Sequence, residues 1–330
     1  FPLVSDLDVT DVEYAQLDAE VDLVSLADYY LLHFFTGDYD GSPFWSPDGR
    51  SLGFTSRRGE KKGESTLHVL PIDGPGETRT VCSMADGIGS PTWSPDGSTI
   101  AFLSRTQHER YSAEDESFQA PRKVERFVSR LNGENWILDR PSHVYVVPAG
   151  GTGTPHNLTP GEFQHSGLSW LPDSSALAVS AQRHDTWDRD WAEDIYVIDL
   201  EGSARRVTGG DGNFSRPSVS PDGTRVAFIG STDNRTYPMN DPVVIASLEG
   251  TDQPVSALTI ASDGLDRAFT TTVGGSAPVW VNNERLLATA EDRGDTHLFQ
   301  LSADGSAPPQ RLTEGALSVA EISANAETIA

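Results

Sequence analysis

The stretch GSPFWSPDGRSLGFTSR, starting at Gly41, returns 48 residues later as GSPTWSPDGSTIAFLSR, starting at Gly89. A chain that repeats a turn together with both flanking strands folds the same local unit each time and buries its faces against the next copy. The unit recurs as LSWLPDSSALAVSA from Leu168, PSVSPDGTRVAFIG from Pro217 and PVWVNNERLLATA from Pro278. One anchor position is held in turn by Trp45, Trp93, Trp170, Val219 and Trp280, at intervals of 48, 77, 49 and 61 residues. Such spacings are too long for a hairpin and suit a four-stranded propeller blade with loop insertions.

The strands of the unit can be read residue by residue. In Ser46-Pro47-Asp48-Gly49 the proline sits where a type I turn needs φ near −65°, and the glycine takes the next position, which often needs positive φ. Short apolar runs follow (LGF, IAF, LAV, VAF, LLA), then a second apolar strand in LHVLPIDG, VYVVPAGG, IYVIDLEG, VVIASLEG and LFQLSADG. A closing segment carries Thr159, Thr208 and Thr313 in HNLTPG, RRVTGG and RLTEG. Four strands per unit predict an all-β fold, a β-propeller of four-stranded blades. The tryptophans invite a ligand-stacking role, but recurrence at one register predicts that they fill the space between blades.

The expected organisation is a degenerate first blade over 1–40, blades over 41–88, 89–165, 166–213, 214–275 and 276–316, and the start of another over 317–330 with Ile322 at its anchor. DVEYAQLDAEVDLVSLADYY in the first segment also suits a helix. Closure pairs the last blade with the first, so seven blades and residues beyond 330 are expected. An open array exposes a strand edge at each end, and self-association into a homo-oligomer follows as an expectation.

Composition narrows the partners. With 49 acidic against 24 basic residues, the net charge of −25 repels nucleic acid and anionic membrane surfaces. Cys82 is the sole cysteine, so neither an internal disulfide nor a cysteine-based zinc site is available, and no cofactor is expected. No apolar run approaches the 18 or so residues of a membrane helix, and the opening FPLVSDLDVTDVEY lacks the basic-then-apolar order of a signal peptide. A cytoplasmic, reducing location is the expectation. The chain opens on Phe rather than Met, which leaves a preceding segment open.

Tandem WSPDG…IAF…LYV…LT units are similar to the propellers of the prolyl oligopeptidase family and, more distantly, to a periplasmic propeller of the Tol system. An insertion from about Thr106 to Ser142, ending RKVERFVSRLNGENWILDRPSHVYVV, resembles the arm of the acylaminoacyl-peptidase and dipeptidyl-peptidase-like branch. AQRHDTWDRDWAEDIYVID from Ala181 resembles that branch's fourth-blade loop. The resemblance covers residues 37 to 316. It implies a serine peptidase whose propeller gates short peptides for a C-terminal α/β-hydrolase domain, with acyl transfer through a serine ester and an oxyanion hole.

Within the chain itself no catalytic residue is expected. The one G-x-S-x-G match, Gly49 to Gly53, falls in the repeated turn rather than between a strand and a helix, and the histidines show no repeated relation to a Ser and an Asp. Asp185, Asp188, Asp190, Glu193 and Asp194 form the densest carboxylate cluster. A hard cation or a peptide amine on Asp188, Asp190 and Asp194 competes there with a plain solvated loop, since the spacing fails the EF-hand pattern. In the insertion, Asn132-Gly133 suits a type I′ hairpin. That hairpin would carry Arg122, Lys123, Arg126 and Arg130, with Trp136, out of an acidic chain; Arg122, Arg126, Arg130 and Trp136 are the candidate gating or interface residues. A surface hairpin with only local salt bridges is the competing reading. For the whole, the alternatives to a peptidase propeller are a non-catalytic interaction platform and an enzyme with its site in the central channel, for which no converging polar set is visible.

Overall fold

The computed structural model describes residues 43–57, 64–72, 77–111, 116–131, 135–151, 153–236, 239–271, 275–320 and 322. The expected first blade, the Asn132-Gly133 turn and most of the last partial unit lie outside the described residues.

Strands β1 Phe44–Trp45, β2 Ser51–Ser56, β3 Ser65–Pro71 and β4 Arg79–Met84 form one antiparallel sheet in chain order. The next contains β5 Gly89–Trp93 and β6 Thr99–Arg105; a small pair, β7 Arg130–Leu131 with β8 Asn135–Trp136, interrupts it before β9 Ser142–Pro148 and β10 His156–Asn157 complete it. Three further meanders follow: β11 His165–Trp170, β12 Ala176–Ala181, β13 Asp194–Asp199 and β14 Ala204–Arg206; β15 Asn213–Val219, β16 Arg225–Ser231, β17 Val243–Ser247 and β18 Thr259–Ile260; β19 Val279–Asn282, β20 Arg285–Asp292, β21 Asp295–Ser302 and β22 Gln310–Arg311. First strands of neighbouring sheets touch one another, β1 with β5, β5 with β11, β11 with β15 and β15 with β19. Five four-stranded meanders joined through their first strands, among the described residues, are blades of a β-propeller.

Local hydrogen bonds explain why the repeated turn forms. Ser46 Oγ donates to Asp48 Oδ1 at 2.6 Å and accepts the Ser51 N–H at 2.9 Å, while Gly49 adopts φ +68°. Ser94 with Asp96 and Thr99, and Ser220 with Asp222 and Arg225, repeat the arrangement. In the third of these turns along the chain Ser174 occupies the glycine position at φ +62°, a conformation that costs a residue with a Cβ. Its hydroxyl accepts the Asp96 N–H of the preceding blade at 3.1 Å, and Asn283 Oδ1 accepts the Asp222 N–H in the same way at 3.2 Å. Where Ser174 replaces the glycine, its side chain ties one turn to the next.

The closing threonines act as clamps. Thr159, Thr208 and Thr313 each accept a backbone N–H through Oγ1, from Val144 (2.9 Å), Ile195 (3.0 Å) and Leu298 (3.0 Å). The residue before each threonine donates its own N–H to the carbonyl of the same partner. Ser262 clamps Val243 identically. Two bonds at one residue let the outermost strands β10, β14, β18 and β22 hold their places with only two or three residues each.

Among the described residues the core lies in four seams between consecutive sheets, with a small fifth cluster of Leu52, Phe54 and Leu70 in the first sheet. Trp93 packs with Leu67, Ile100 and Phe102; Trp170 with Val144, Leu177 and Val179; Phe214 and Phe228 with Ile195 and Val226; Trp280 with Ile229, Leu286 and Phe299. Each of these three anchor tryptophans also donates its indole N–H back to the preceding blade: Trp93 to Phe44 O (3.3 Å), Trp170 to Thr92 O (3.4 Å), Trp280 to Ser218 O (2.9 Å). The acceptor is always the residue just before the previous anchor. Val219 has no such donor, and there the bond is reversed: its backbone N–H donates to Ser169 Oγ at 2.9 Å. Trp45 departs from the inter-blade expectation at 46% exposure.

The seams predict matched costs. Trp280→Phe, which keeps an apolar ring but loses the donor, and Ser169→Ala, which orphans the Val219 N–H, are each expected to destabilise by about 1 kcal/mol. Scanning calorimetry then shows melting lowered by roughly 2–4 °C in each, whereas Trp280→Ala costs about 3–5 kcal/mol.

Candidate functional site

The insertion between β6 and β9 does not stand free of the propeller; it folds down onto the neighbouring blade. Arg126 donates to Asp185 O at 3.0 Å and pairs with Glu162 at 2.8 Å, and the Phe127 N–H donates to Asp188 Oδ2 at 2.7 Å. The Arg126 guanidinium also lies over the buried Trp187 ring, 5.8 Å from its centroid. The arm and the loop after β12, the two segments that set this chain apart from a bare repeat, are thus one surface. Its base is anchored by Arg140, which pairs with Asp86, and by Arg105, which donates to Arg140 O at 2.9 Å.

The other arm residues form a stack. Arg110, Arg122 and Arg130 alternate with Tyr111 and Trp136: Arg110 lies 5.9 Å from the Tyr111 centroid, Arg122 is 5.1 Å from both rings, and Arg130 is 5.7 Å from Trp136. Each contact places a cation on the electron-rich face of a ring. Arg130 and Trp136 face each other across the β7–β8 pair. Arg122 Nε donates to Asp139 Oδ2 at 3.3 Å, and Asp139 is 7% exposed. Of the four residues singled out in the sequence, Arg122, Arg130 and Trp136 belong to this ladder, while Arg126 belongs to the anchor. Arg110, Tyr111 and Asp139 were missed because their spacing follows no period.

The carboxylates of the fourth-blade loop are dispersed. Asp188 takes the Phe127 N–H and faces Arg126 at 3.6 Å, and that backbone bond, ahead of the arginine charge, holds its carboxyl below the ordinary range. Asp190 accepts from Thr186 Oγ1 and the Ala192 N–H and contacts His184 Nε2 at 2.8 Å. Asp194 accepts from Thr208 Oγ1 (2.6 Å) and the Gly210 N–H (2.9 Å), inside the threonine clamp of its own blade. Among the described residues no three His, Cys, Asp or Glu side chains converge as a metal site. The Asn132-Gly133 turn between β7 and β8 lies outside the described residues. Ser51, the centre of the G-x-S-x-G match, opens β2 and donates its N–H into the repeated turn.

Two further titratable groups lie nearby, the buried His165 and the half-buried Glu193 of the carboxylate cluster. His165 Nε2 contacts Arg183 Nη1 at 3.0 Å, so this nitrogen is the acceptor and Nδ1–H donates to Ser142 O at 3.1 Å. Burial, with Arg183 beside it, pushes the imidazole down to about 3, leaving His165 neutral. Glu193 accepts from Ser166 Oγ at 2.8 Å, and burial pushes its carboxyl up to about 7, with Asp194 adding to the rise.

With this geometry in hand, comparison with known proteins places the chain in the class of β-propeller domains. The chain belongs to the family described as the lipoprotein LpqB beta-propeller domain, whose model matches residues 136–330. No curated protein matches the sequence. Among solved structures, the acylaminoacyl peptidase of Pyrococcus horikoshii superposes with a TM-score of 0.63 at 16% identity, over 87% of this chain and 40% of that one. The β-propeller domain of the Trilobed protease from Pyrococcus furiosus gives 0.55 at 14% identity, over 86% and 76%. The putative TolB of Agrobacterium tumefaciens gives 0.50 at 20% identity, over 82% and 79%. At these identities the likeness is one of fold. The chain spans two fifths of the length of the acylaminoacyl peptidase.

The geometry sets two expectations. In Arg126→Ala the arm loses its contacts with Asp185, Asp188 and Glu162, so hydrogen exchange across 116–131 quickens, most at the Phe127 amide, while the strands β9 and β12 keep their protection. For Glu193, folding raises the carboxyl from its ordinary value of 4.5 to about 7. The folded state therefore holds a proton that the unfolded chain has lost, and this contribution is full below pH 4.5 and is lost as pH rises through about 7. Glu193→Gln, which stays neutral, is expected to gain in melting temperature over the native protein between about pH 5 and about pH 8.

Proposed function

We propose that the chain is the propeller part of a serine peptidase and that its arm gates short peptides on their way to an α/β-hydrolase domain carried further along the same protein. The carrying observation is the arm itself. Its cation and ring ladder concentrates positive charge on one surface of a chain whose net charge is −25, a field that draws in peptide carboxylates and turns them away elsewhere. Beside the ladder, Phe118 and Phe127 stand 80% and 87% exposed on the same arm, apolar area suited to a second domain. Likeness in fold to an acylaminoacyl peptidase and to the Trilobed protease propeller supports the reading. On it, residues 1–330 supply no nucleophile, the partners are peptide and hydrolase domain, and the location is cytoplasmic.

A second reading is favoured by the family match to a lipoprotein propeller and by the likeness to the putative TolB: a non-catalytic platform, held at a membrane by a lipid anchor, on which the same exposed aromatics dock a protein. A fluorophosphonate probe applied to the full-length gene product separates the two. Covalent labelling of a serine outside residues 1–330, with hydrolysis of acyl-dipeptide substrates lost on labelling, is the expected result. A full-length protein that takes up no probe and fractionates with membranes establishes the platform instead.

A further inference from the structure

The arm is held unevenly along its length. At its base the backbone pairs across: His108 N–H donates to Asp139 O at 2.8 Å, Thr106 N–H to Pro141 O at 3.1 Å and Ile137 N–H to Ser129 O at 3.1 Å. From Ala120 to Val128 there is no backbone–backbone hydrogen bond among the described residues, and Val124 and Phe127 stand exposed. Among the described residues, the hydrogen bonds and ion pairs that tie this stretch to loops 158–164 and 182–193 all come from Arg126 and Phe127. So few contacts put the stretch at the low end of local stability.

The closed contact is also imperfect underneath. Trp187 lies beneath the Arg126 guanidinium, 4% exposed, and its indole N–H has no hydrogen-bond partner among the described residues. Asp188 Oδ1 likewise has none, with Arg126 Nη1 at 3.6 Å and Arg189 Nε at 3.8 Å. Buried polar groups are normally bonded, so closure carries a cost that access to water removes. Opposing that cost, Arg126 pairs with Glu162, whose side chain is 64% exposed and therefore open to screening by salt. Arg126 also lines two cavities, one of about 600 Å3 beside Tyr111 and one of about 430 Å3 beside Asp188.

We propose that residues 120–128 are a strap in equilibrium between this latched state and an open one, hinged at the paired base, with the Arg126–Glu162 ion pair setting the balance. Opening frees Trp187 and Asp188 to water and joins the two cavities into one groove. The strap's role as the moving part of a gate rests on the reading of the arm given above; the opening itself needs no hydrolase domain.

The test is solvent exchange of the indole N–H groups, followed by NMR in the 330-residue protein carrying isotope-labelled tryptophan, with the Trp187 signal assigned through Trp187→Phe. Exchange at Trp187 is expected to quicken about three- to fivefold between about 0.05 M and about 1 M KCl, as the exposed ion pair is screened. In Arg126→Gln it is expected to quicken at least about tenfold, since every contact of the guanidinium is lost. Trp93, Trp170 and Trp280, whose indoles are bonded inside the seams, are expected to keep their rates. Glu162→Gln, at an exposed side chain that leaves folding intact, is expected to raise the Trp187 rate at low salt and to remove the salt response. Peptide hydrolysis plays no part in these readouts, so they stand apart from the fate of the peptidase reading. An unchanged Trp187 rate in salt or in Arg126→Gln, a salt response that survives in Glu162→Gln, or all four indoles quickening together would each overturn the proposal.

Discussion

Everything in this molecule depends on how one sheet is joined to the next. A four-stranded meander with apolar residues on both faces has no core of its own, so each blade is stable only against its neighbours. The repeated tryptophan meets that need with a single side chain. Its ring fills the seam, and its N–H, which burial would otherwise leave unsatisfied, finds the carbonyl one residue before the preceding anchor. The Val219 seam shows that the bond matters beyond the ring. There Phe214 and Phe228, 4.8 Å apart, supply the bulk, and Ser169 supplies the cross-blade hydrogen bond from the opposite side.

With the seams holding the blades side by side, the insertions are free to differ, and the chain places its distinctive chemistry there. The arm from one blade and the loop from the next meet through Arg126, Phe127 and Asp188, which lie about sixty residues apart in sequence. That junction fixes the arm against the propeller, where Arg110 and Arg122 of the ladder line a cavity that Glu125, Asp139 and Glu162 also border. In so acidic a chain, three guanidinium groups alternating with two rings are a local reversal of sign, and such a reversal selects what approaches.

Much of the fold was legible in the sequence because its determinants are local. The Ser-Pro-Asp-Gly turn closes within five residues, the clamp threonine sits at a constant place in three units, and the anchors recur in register, so the strands and the propeller class follow from spacing alone. The candidate site was legible only in part. The cluster of arginines in the arm was visible, as was the crowd of carboxylates after Ala181, but the sequence treats them as two separate groups. The structure turns one arginine and one aspartate into each other's partners and retires Asp194 into a clamp and Asp190 into a bond with His184. Asp139 and His165 gave no signal, since burial of a single polar residue leaves no period to read, and Glu193 was visible only as one of that crowd.

By itself the sequence determined the unit: a turn, four strands, an anchor and a clamp, each set by hydrogen bonds that a few neighbouring residues can make without help. Only the tertiary structure decided which charges meet. Placing blades side by side brings the ends of distant loops within 3 Å of one another, and burial then determines which carboxylate oxygens keep a partner and which, like Asp139 Oδ1, are left without a hydrogen bond.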